Sequence, residues 1–242
     1  ASVVFLALFQ MVLRKYAEQD EIIFGMPVMG RVQQRFARDI GYFVNMVPLR
    51  TRCEPGLKAS DFFRRVQATM LDGLFHSSYP FPLMMESLRV KEVRKAPVFQ
   101  VTYAYQNFMK PDGLGPPAPR QALEAVFLDE IAQEGESDLG LEVFEDGPSS
   151  FRVKLKYNPQ LYSAQLIARI FDSYCAVLRA VSEDCHRPLD DYAILSEAER
   201  RRVLVEFNDT RADFPSGQCL HELFTAQVPR HANEVAAICG RE

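Results

Sequence analysis

Apolar residues recur at helical spacing from the first turn of the chain. Val4, Leu8, Val12 and Leu13 fall on one face of residues 3–17, which predicts an amphipathic helix. The acidic turn EQDE interrupts the pattern, and IIFGMPV follows as a short apolar run of strand type. The run IGYFVNMVPLRTRC reads as a second strand, closed by Glu54, Pro55 and Gly56. Ser60 and Asp61 stand where a helix cap is expected, ahead of an apolar face made by Phe62, Phe63, Val66, Met70, Leu71 and Leu74. Tyr79, Pro80, Phe81 and Pro82 are expected to stop that helix.

After Pro97 the run VFQVTYAYQ alternates and is rich in β-branched and aromatic residues, so it predicts a strand. Four prolines and two glycines within residues 110–120 cannot continue one and predict an extended loop. LEAVFLDEI, LGLEVFED and FRVKLKY are the next apolar runs. In the last, Phe151, Val153, Leu155 and Tyr157 share one face and Arg152, Lys154 and Lys156 the other, a half-buried strand paired to its predecessor across residues 146–150. The clearest helix is residues 164–182, where Leu166, Ile167, Ile170, Phe171, Tyr174, Leu178 and Val181 make one stripe. Ser196, Glu197 and Glu199 open a charged helix that ends near FNDT, and residues 208–218 have turn and linker composition. Along the chain, helices thus alternate with strands.

A chain of 242 residues is long enough to bury roughly 70–75% of its unfolded surface. Hydrophobic residues at 48% and charged residues at 25% are globular values. A net charge of -4, with no basic stripe interleaved with aromatics, argues against a nucleic-acid partner. The five cysteines, at 53, 175, 185, 219 and 239, are far apart and form no CxxC or Cys/His cluster. They read as reduced thiols, and a cytoplasmic protein is expected. The opening VVFLALFQMVL lacks a cationic leader and is too short to span a bilayer, so it reads as a core helix with no membrane role. A chain that begins inside such a helix, with no initiator Met, is expected to be an excised segment.

The stretch FGMPVMGRVQQRFARDIGYFVNMVPLR, residues 24–50, carries the most unusual pattern. Glycines at 25, 30 and 41 allow close approach, Pro27 removes a donor, Arg31 is a fixed cation after a glycine, and Asn45 interrupts an apolar run. On residue types alone this is a bent strand, a basic loop and a second strand whose Asn satisfies neighbouring backbone. GMPVMGR, IGYFVNMVPLR, HSSYPFP and APVFQVTYAYQN, in that order and spacing, resemble successive motifs of the C-terminal lobe of a nonribosomal peptide synthetase condensation domain. The resemblance covers essentially the whole chain. It implies an α/β fold over residues 1–195, one lobe of a chloramphenicol-acetyltransferase-like architecture with a mixed sheet flanked by helices, then a condensation-to-adenylation linker over 196–218 and the truncated start of an adenylation domain over 219–242. NDTRADFP, LHELFTAQ and EVAAICGRE carry the last part of the likeness.

What the resemblance implies chemically is amide formation, in which the amine of an acceptor aminoacyl thioester attacks a donor acyl or peptidyl thioester. Both substrates would hang on phosphopantetheine arms of upstream and downstream carrier proteins, with no cofactor bound directly by this chain. The partners implied are those carrier proteins, an adenylation domain and the N-terminal lobe. In such domains HHxxxDG on that other lobe supplies the catalytic histidine, and no HHxxxDG occurs here. The expected catalytic residues of this chain are therefore none, and no metal site is expected. Arg31, Asn45, Met46 and Gln106 are the candidates for the substrate tunnel or lobe interface. Arg31 is expected to form an ion pair ordering the loop under the tunnel, and Asn45 to bond backbone at the lobe interface. Met46 stands where the family often has Thr. By the same resemblance residues 26–39 include the tunnel floor loop and residues 105–120 the latch that crosses to the other lobe.

His76 sits inside a family motif but at a helix end, so a local hydrogen bond or C-cap is its expected role. Its motif departs from the family's HQDYPFE, with Ser77, Ser78 and Pro82 replacing Gln, Asp and Glu. His186, His221 and His231 fall in linker or terminal segments, and Asp190 and Asp191 read as a solvated pair. Three rival readings stay open: a noncatalytic carrier-protein docking module, a heterocyclization or epimerization relative, and a free-standing acetyltransferase of the same fold.

Overall fold

The computed structural model describes residues 1–31, 34–36, 38–88, 98–107, 137–147, 149–213, 216–235, 237 and 239–240. In chain order the elements are α1 (Ser2–Ala17), β1 (Glu21–Met29), β2 (Val44–Arg52), α2 (Ala59–Phe75), α3 (Phe81–Ser87), β3 (Val101–Gln106), β4 (Leu139–Gly147), β5 (Ser150–Tyr157), α4 (Ala164–Glu183), α5 (Glu197–Arg201) and α6 (Leu220–Gln227). The predicted loop at 110–120 and the run LEAVFLDEI lie outside the described residues. Chain contacts divide the molecule into two units, Ala1–Glu197 and Ala198–Glu242.

The first unit holds a five-stranded sheet in the order β2-β1-β3-β4-β5. Its outer pairs, β1 with β2 and β4 with β5, are antiparallel, and β1 with β3 and β3 with β4 are parallel. Both the β-hairpin read across residues 146–150 and the mixed sheet are present. Phe24, Leu49, Tyr103, Leu141 and Val143 line the covered face and are almost fully buried. Alternation puts Ile23, Gly25, Pro27, Met46, Pro48, Thr102, Ala104 and Gln106 on the opposite face.

Burial of α1 differs from the one-faced pattern its spacing predicts. Every residue from Phe5 to Leu13 is buried, because α1 runs beside the sheet and is flanked by both α2 and α4. Each fully buried side chain such as Leu6, Leu8 or Phe9 stabilises the unit by about 1.5–3 kcal/mol. Gln10 in this helix is buried and donates to the Thr51 hydroxyl, while its Oε1 has no partner. Glu18 ends the helix in the left-handed region at φ 52°.

The cap of α2 corrects the sequence expectation. The helix starts one residue before Ser60, after Lys58, and no side chain caps it. Its first amides, Ala59 and Ser60, instead donate to the carbonyls of Arg187 and Cys185 at 3.1 and 2.8 Å. Asp61 lies in the first turn and pairs with Arg64 at 2.6 Å. Residues 79–82 do more than stop α2, since α3 begins at Phe81 with Pro82 in its first turn, where a missing N–H costs nothing. In α4 the Ser163 hydroxyl accepts from the Leu166 amide at 3.2 Å, a side-chain cap of the ordinary kind.

The second unit has α5 continued by a π-helical turn, Arg202–Glu206, and then α6. None of its described residues is buried.

Candidate functional site

Parallel strands present their carboxyl ends together, and in open α/β sheets that end is where ligands bind. β1, β3 and β4 end on one side of this sheet, and Arg31, Asn45 and Gln106 all lie there. Arg31 follows β1. One guanidinium nitrogen donates to the carbonyls of Phe36 and Asp39, each at 2.6 Å, the other donates to Gly41 O at 3.4 Å, and the group lies 4.2 Å from the centroid of the Phe43 ring. Among the described residues Arg31 meets backbone carbonyls and an aromatic face in place of the expected ion pair. A planar fork with several donors suits that task better than a carboxylate contact would. Gly30 lets the turn close: its amide donates to Phe43 O at 2.9 Å, and a Cβ there would overlap that same oxygen.

Asn45 near the start of β2 points toward the end of α2. Its Nδ2 donates to Ser77 O at 2.9 Å and Tyr79 O at 2.8 Å, and its Oδ1 accepts from the Phe81 amide at 3.0 Å. One side chain therefore holds the turn joining α2 to α3. Both amide donors and the carbonyl oxygen are engaged, which accounts for a polar residue inside an apolar run.

Met46 faces the other way from Asn45 and pairs with Pro27 in the β1–β2 ladder. Gln106, the last residue of β3, stands opposite Phe144 of β4. By alternation Met46 and Gln106 share the face opposite the core, while Asn45 serves the helical side. The structure thus separates the four candidates into two that order backbone, Arg31 and Asn45, and two that sit on the open face of the sheet. Residues 32, 33 and 37 of the expected floor loop, and 108–120 of the expected latch, lie outside the described residues.

A convergence not evident from sequence lies on that open face. A Cβ on Gly25 would overlap the edge of the Phe99 ring, and Phe99 packs on Phe81 with ring centroids 5.5 Å apart. GMPVMGR, HSSYPFP and APVFQVTYAYQN thus meet at one point. The only sequence signal was a glycine inside a strand, which marks close approach.

Acid–base candidates are scarce among the described residues. His76 forms the C-cap of α2, is exposed, and has its Nε2 3.7 Å from Asp72 Oδ1. Burial pushes the Cys53 thiol up to about 11, which suppresses the nucleophilic thiolate. Tyr105 donates to Glu145 at 2.8 Å, and burial together with that carboxylate pushes its phenol up to about 12. No group of three or more potential metal ligands occurs among the described residues. None of the described helices is long and apolar enough to cross a membrane. Asp190 and Asp191 are exposed, as read, and Asp190 also receives Arg14 at 2.6 Å.

The family profile described as "Condensation domain" matches residues 1–204. Polyketide synthase PksN of Bacillus subtilis (strain 168) is 34% identical over 239 residues, 98% of this chain and 4% of that protein. Tyrocidine synthase 3 of Brevibacillus parabrevis is 29% identical, over 96% of this chain and 4% of that protein. The chain therefore spans about 4% of the length of these relatives. Among solved structures, holo-AB3403, a four-domain nonribosomal peptide synthetase bound to AMP and glycine, superposes with a TM-score of 0.77 at 20% identity, over 95% of this chain and 18% of that one. The condensation domain of the Monacolin K polyketide synthase MokA gives 0.65 at 18% identity, over 78% of this chain and 42% of its own.

Proposed function

This chain belongs to the condensation-domain family of nonribosomal peptide synthetases, and from that membership we propose that it supplies one wall of an amide-forming tunnel. Its fold is one lobe of the chloramphenicol-acetyltransferase-like architecture. The donor is an acyl or peptidyl thioester, the acceptor an aminoacyl thioester, and both arrive on phosphopantetheine arms of carrier proteins. The observation that carries this reading is the division of labour at the strand ends: the two most distinctive polar residues, Arg31 and Asn45, are occupied by backbone. Amide formation between tethered partners depends on holding them in line and on a group that manages the amine proton. Arg31 and Asn45 serve the first need by setting the loop after β1 and the turn after α2. Met46 and Gln106 are the proposed substrate-facing positions. The second need falls to HHxxxDG of the N-terminal lobe.

Residues 1–195 are assigned to the lobe, 196–218 to the linker toward an adenylation domain, and 219–242 to the opening of that domain. By itself the chain is inactive. The test is an amide-forming assay with two loaded carrier proteins. The reading expects no product from this chain alone and product after addition of an N-terminal lobe bearing HHxxxDG; turnover by the chain alone would overturn it.

A further inference from the structure

α2 is held at both ends by groups that lie outside it. At its carboxyl end the turn it carries, residues 77–81, is fixed by Asn45. Along its length Gly73 lets it sit so close to β2 that a Cβ would come within 2.7 Å of Leu49. At its amino end the holding group is the segment after α4. Arg187 O and Cys185 O accept the Ala59 and Ser60 amides, and Leu189 N donates to Leu57 O at 2.8 Å. Lys58 and Pro188 form an isolated antiparallel bridge. That segment is itself pinned: Arg14 of α1 donates to Asp190 at 2.6 Å, Asp190 accepts the Gly56 amide at 3.3 Å, and Tyr192 donates to Asp184 O at 2.5 Å. Leu189 and Tyr192 are buried at 3% exposure each. The segment is therefore packed structure and not a tether.

We propose that residues 185–192 form a clasp through which the chain leaving α4 sets the axial position of α2, and that Asp190, held by Arg14, is a positioning residue for the turn at residues 77–81. The physical basis is that a helix is stiff along its axis. α2 has 17 residues and is about 25 Å long, so its amino-terminal anchor and the turn beyond its carboxyl end are linked by one hydrogen-bonded rod. With no side-chain cap, the clasp carbonyls satisfy amides that would otherwise have no protein partner. The bearing of this device on catalysis rests on the reading of that turn as tunnel wall. Amide exchange tests the clasp whether or not the turn lines a tunnel.

The experiment is residue-resolved hydrogen exchange on the full 242-residue chain and its D190N and D190E variants. D190N keeps the size and the acceptor for Gly56 but loses the charge that holds Arg14, so it is the variant least prone to misfold. The expected result is exchange about tenfold faster at Ala59, Ser60 and also Phe81, with D190E restoring slow exchange at all three. Acceleration confined to Ala59 and Ser60 would reduce the clasp to a local cap and overturn the proposal. So would unchanged exchange in D190N, or acceleration that D190E fails to rescue.

Discussion

At the scale of single residues the chain is most specific where a polar group or a missing side chain has one geometric solution. Asn45 is the clearest case. N45A removes three hydrogen bonds to the turn at residues 77–81 and should cost about 1–3 kcal/mol in urea unfolding. N45D should be no better, since a carboxylate still accepts from Phe81 but faces the Ser77 and Tyr79 carbonyls without a proton to give; wild-type stability in N45D would refute this arrangement. Gly25 makes the opposite demand. G25A drives a methyl against the edge of the Phe99 ring, an overpacking expected to cost about 1–3 kcal/mol. In a double-mutant cycle F99A should relieve most of that cost, and strict additivity would contradict the contact. Cys53 is buried with its thiol pushed up to about 11, so about one thiolate per thousand is present at pH 8. Mass mapping after brief alkylation of the native chain should find the exposed Cys219 and Cys239 modified first. Early labelling of Cys53 would show that the packing around it opens. Arg31 and Asn45 were legible from sequence as residues out of keeping with their surroundings. Their partners were not, because backbone carbonyls and amides carry no signature in a sequence.

Elements followed hydrophobic spacing where one face alone is buried. The stripe of α4 is of that kind; in β5, Val153, Leu155 and Tyr157 are half-buried against the core, while Phe151 of the same predicted face is exposed. The cap of α2 was misread because its acceptors come from the distant residues 185 and 187, and local chemistry pointed to Ser60 and Asp61 instead. The second strand begins at Val44 and not at Ile40, since Arg31 holds the carbonyls of Phe36, Asp39 and Gly41 before pairing starts. Two element-level outcomes follow. Glu18 holds the left-handed end of α1, a conformation that costs a non-glycine residue about 1–2 kcal/mol; E18G should raise the thermal midpoint, and a lower midpoint would indicate an unrecognised Glu18 contact. The clasp carries a pH dependence of defined sign. Hydrogen bonding from Arg14 holds the Asp190 carboxyl below its ordinary value. Its stabilisation is complete above the unfolded carboxylate range and is lost as pH falls through the lower folded value. D190N should therefore flatten part of the acid limb of the stability profile, with little change in slope near neutrality. An unaltered acid limb would remove Asp190 from the account.

At the scale of the whole molecule the described parts of the two units differ in kind. The first has a continuous core from α1 through the sheet to α4, and the second buries none of its described residues. A chain ending at Glu197 should accordingly melt within about 2 °C of the full chain; a larger drop would mean that the second unit contributes to the fold of the first. The family was readable from four ordered motifs, and the α/β class and the mixed sheet came with that resemblance. Their meeting point at Gly25, Phe81 and Phe99 needed coordinates, since tertiary contact between distant motifs leaves no local pattern. The central claim is that this lobe positions substrates while the proton chemistry resides elsewhere. Its most direct test replaces all four histidines of the chain, His76, His186, His221 and His231, by asparagine in a complete domain that also carries HHxxxDG, and measures amide formation between two loaded carrier proteins. The account predicts that product still forms at a rate within a few-fold of the parent; loss of turnover in a domain that remains folded would contradict it.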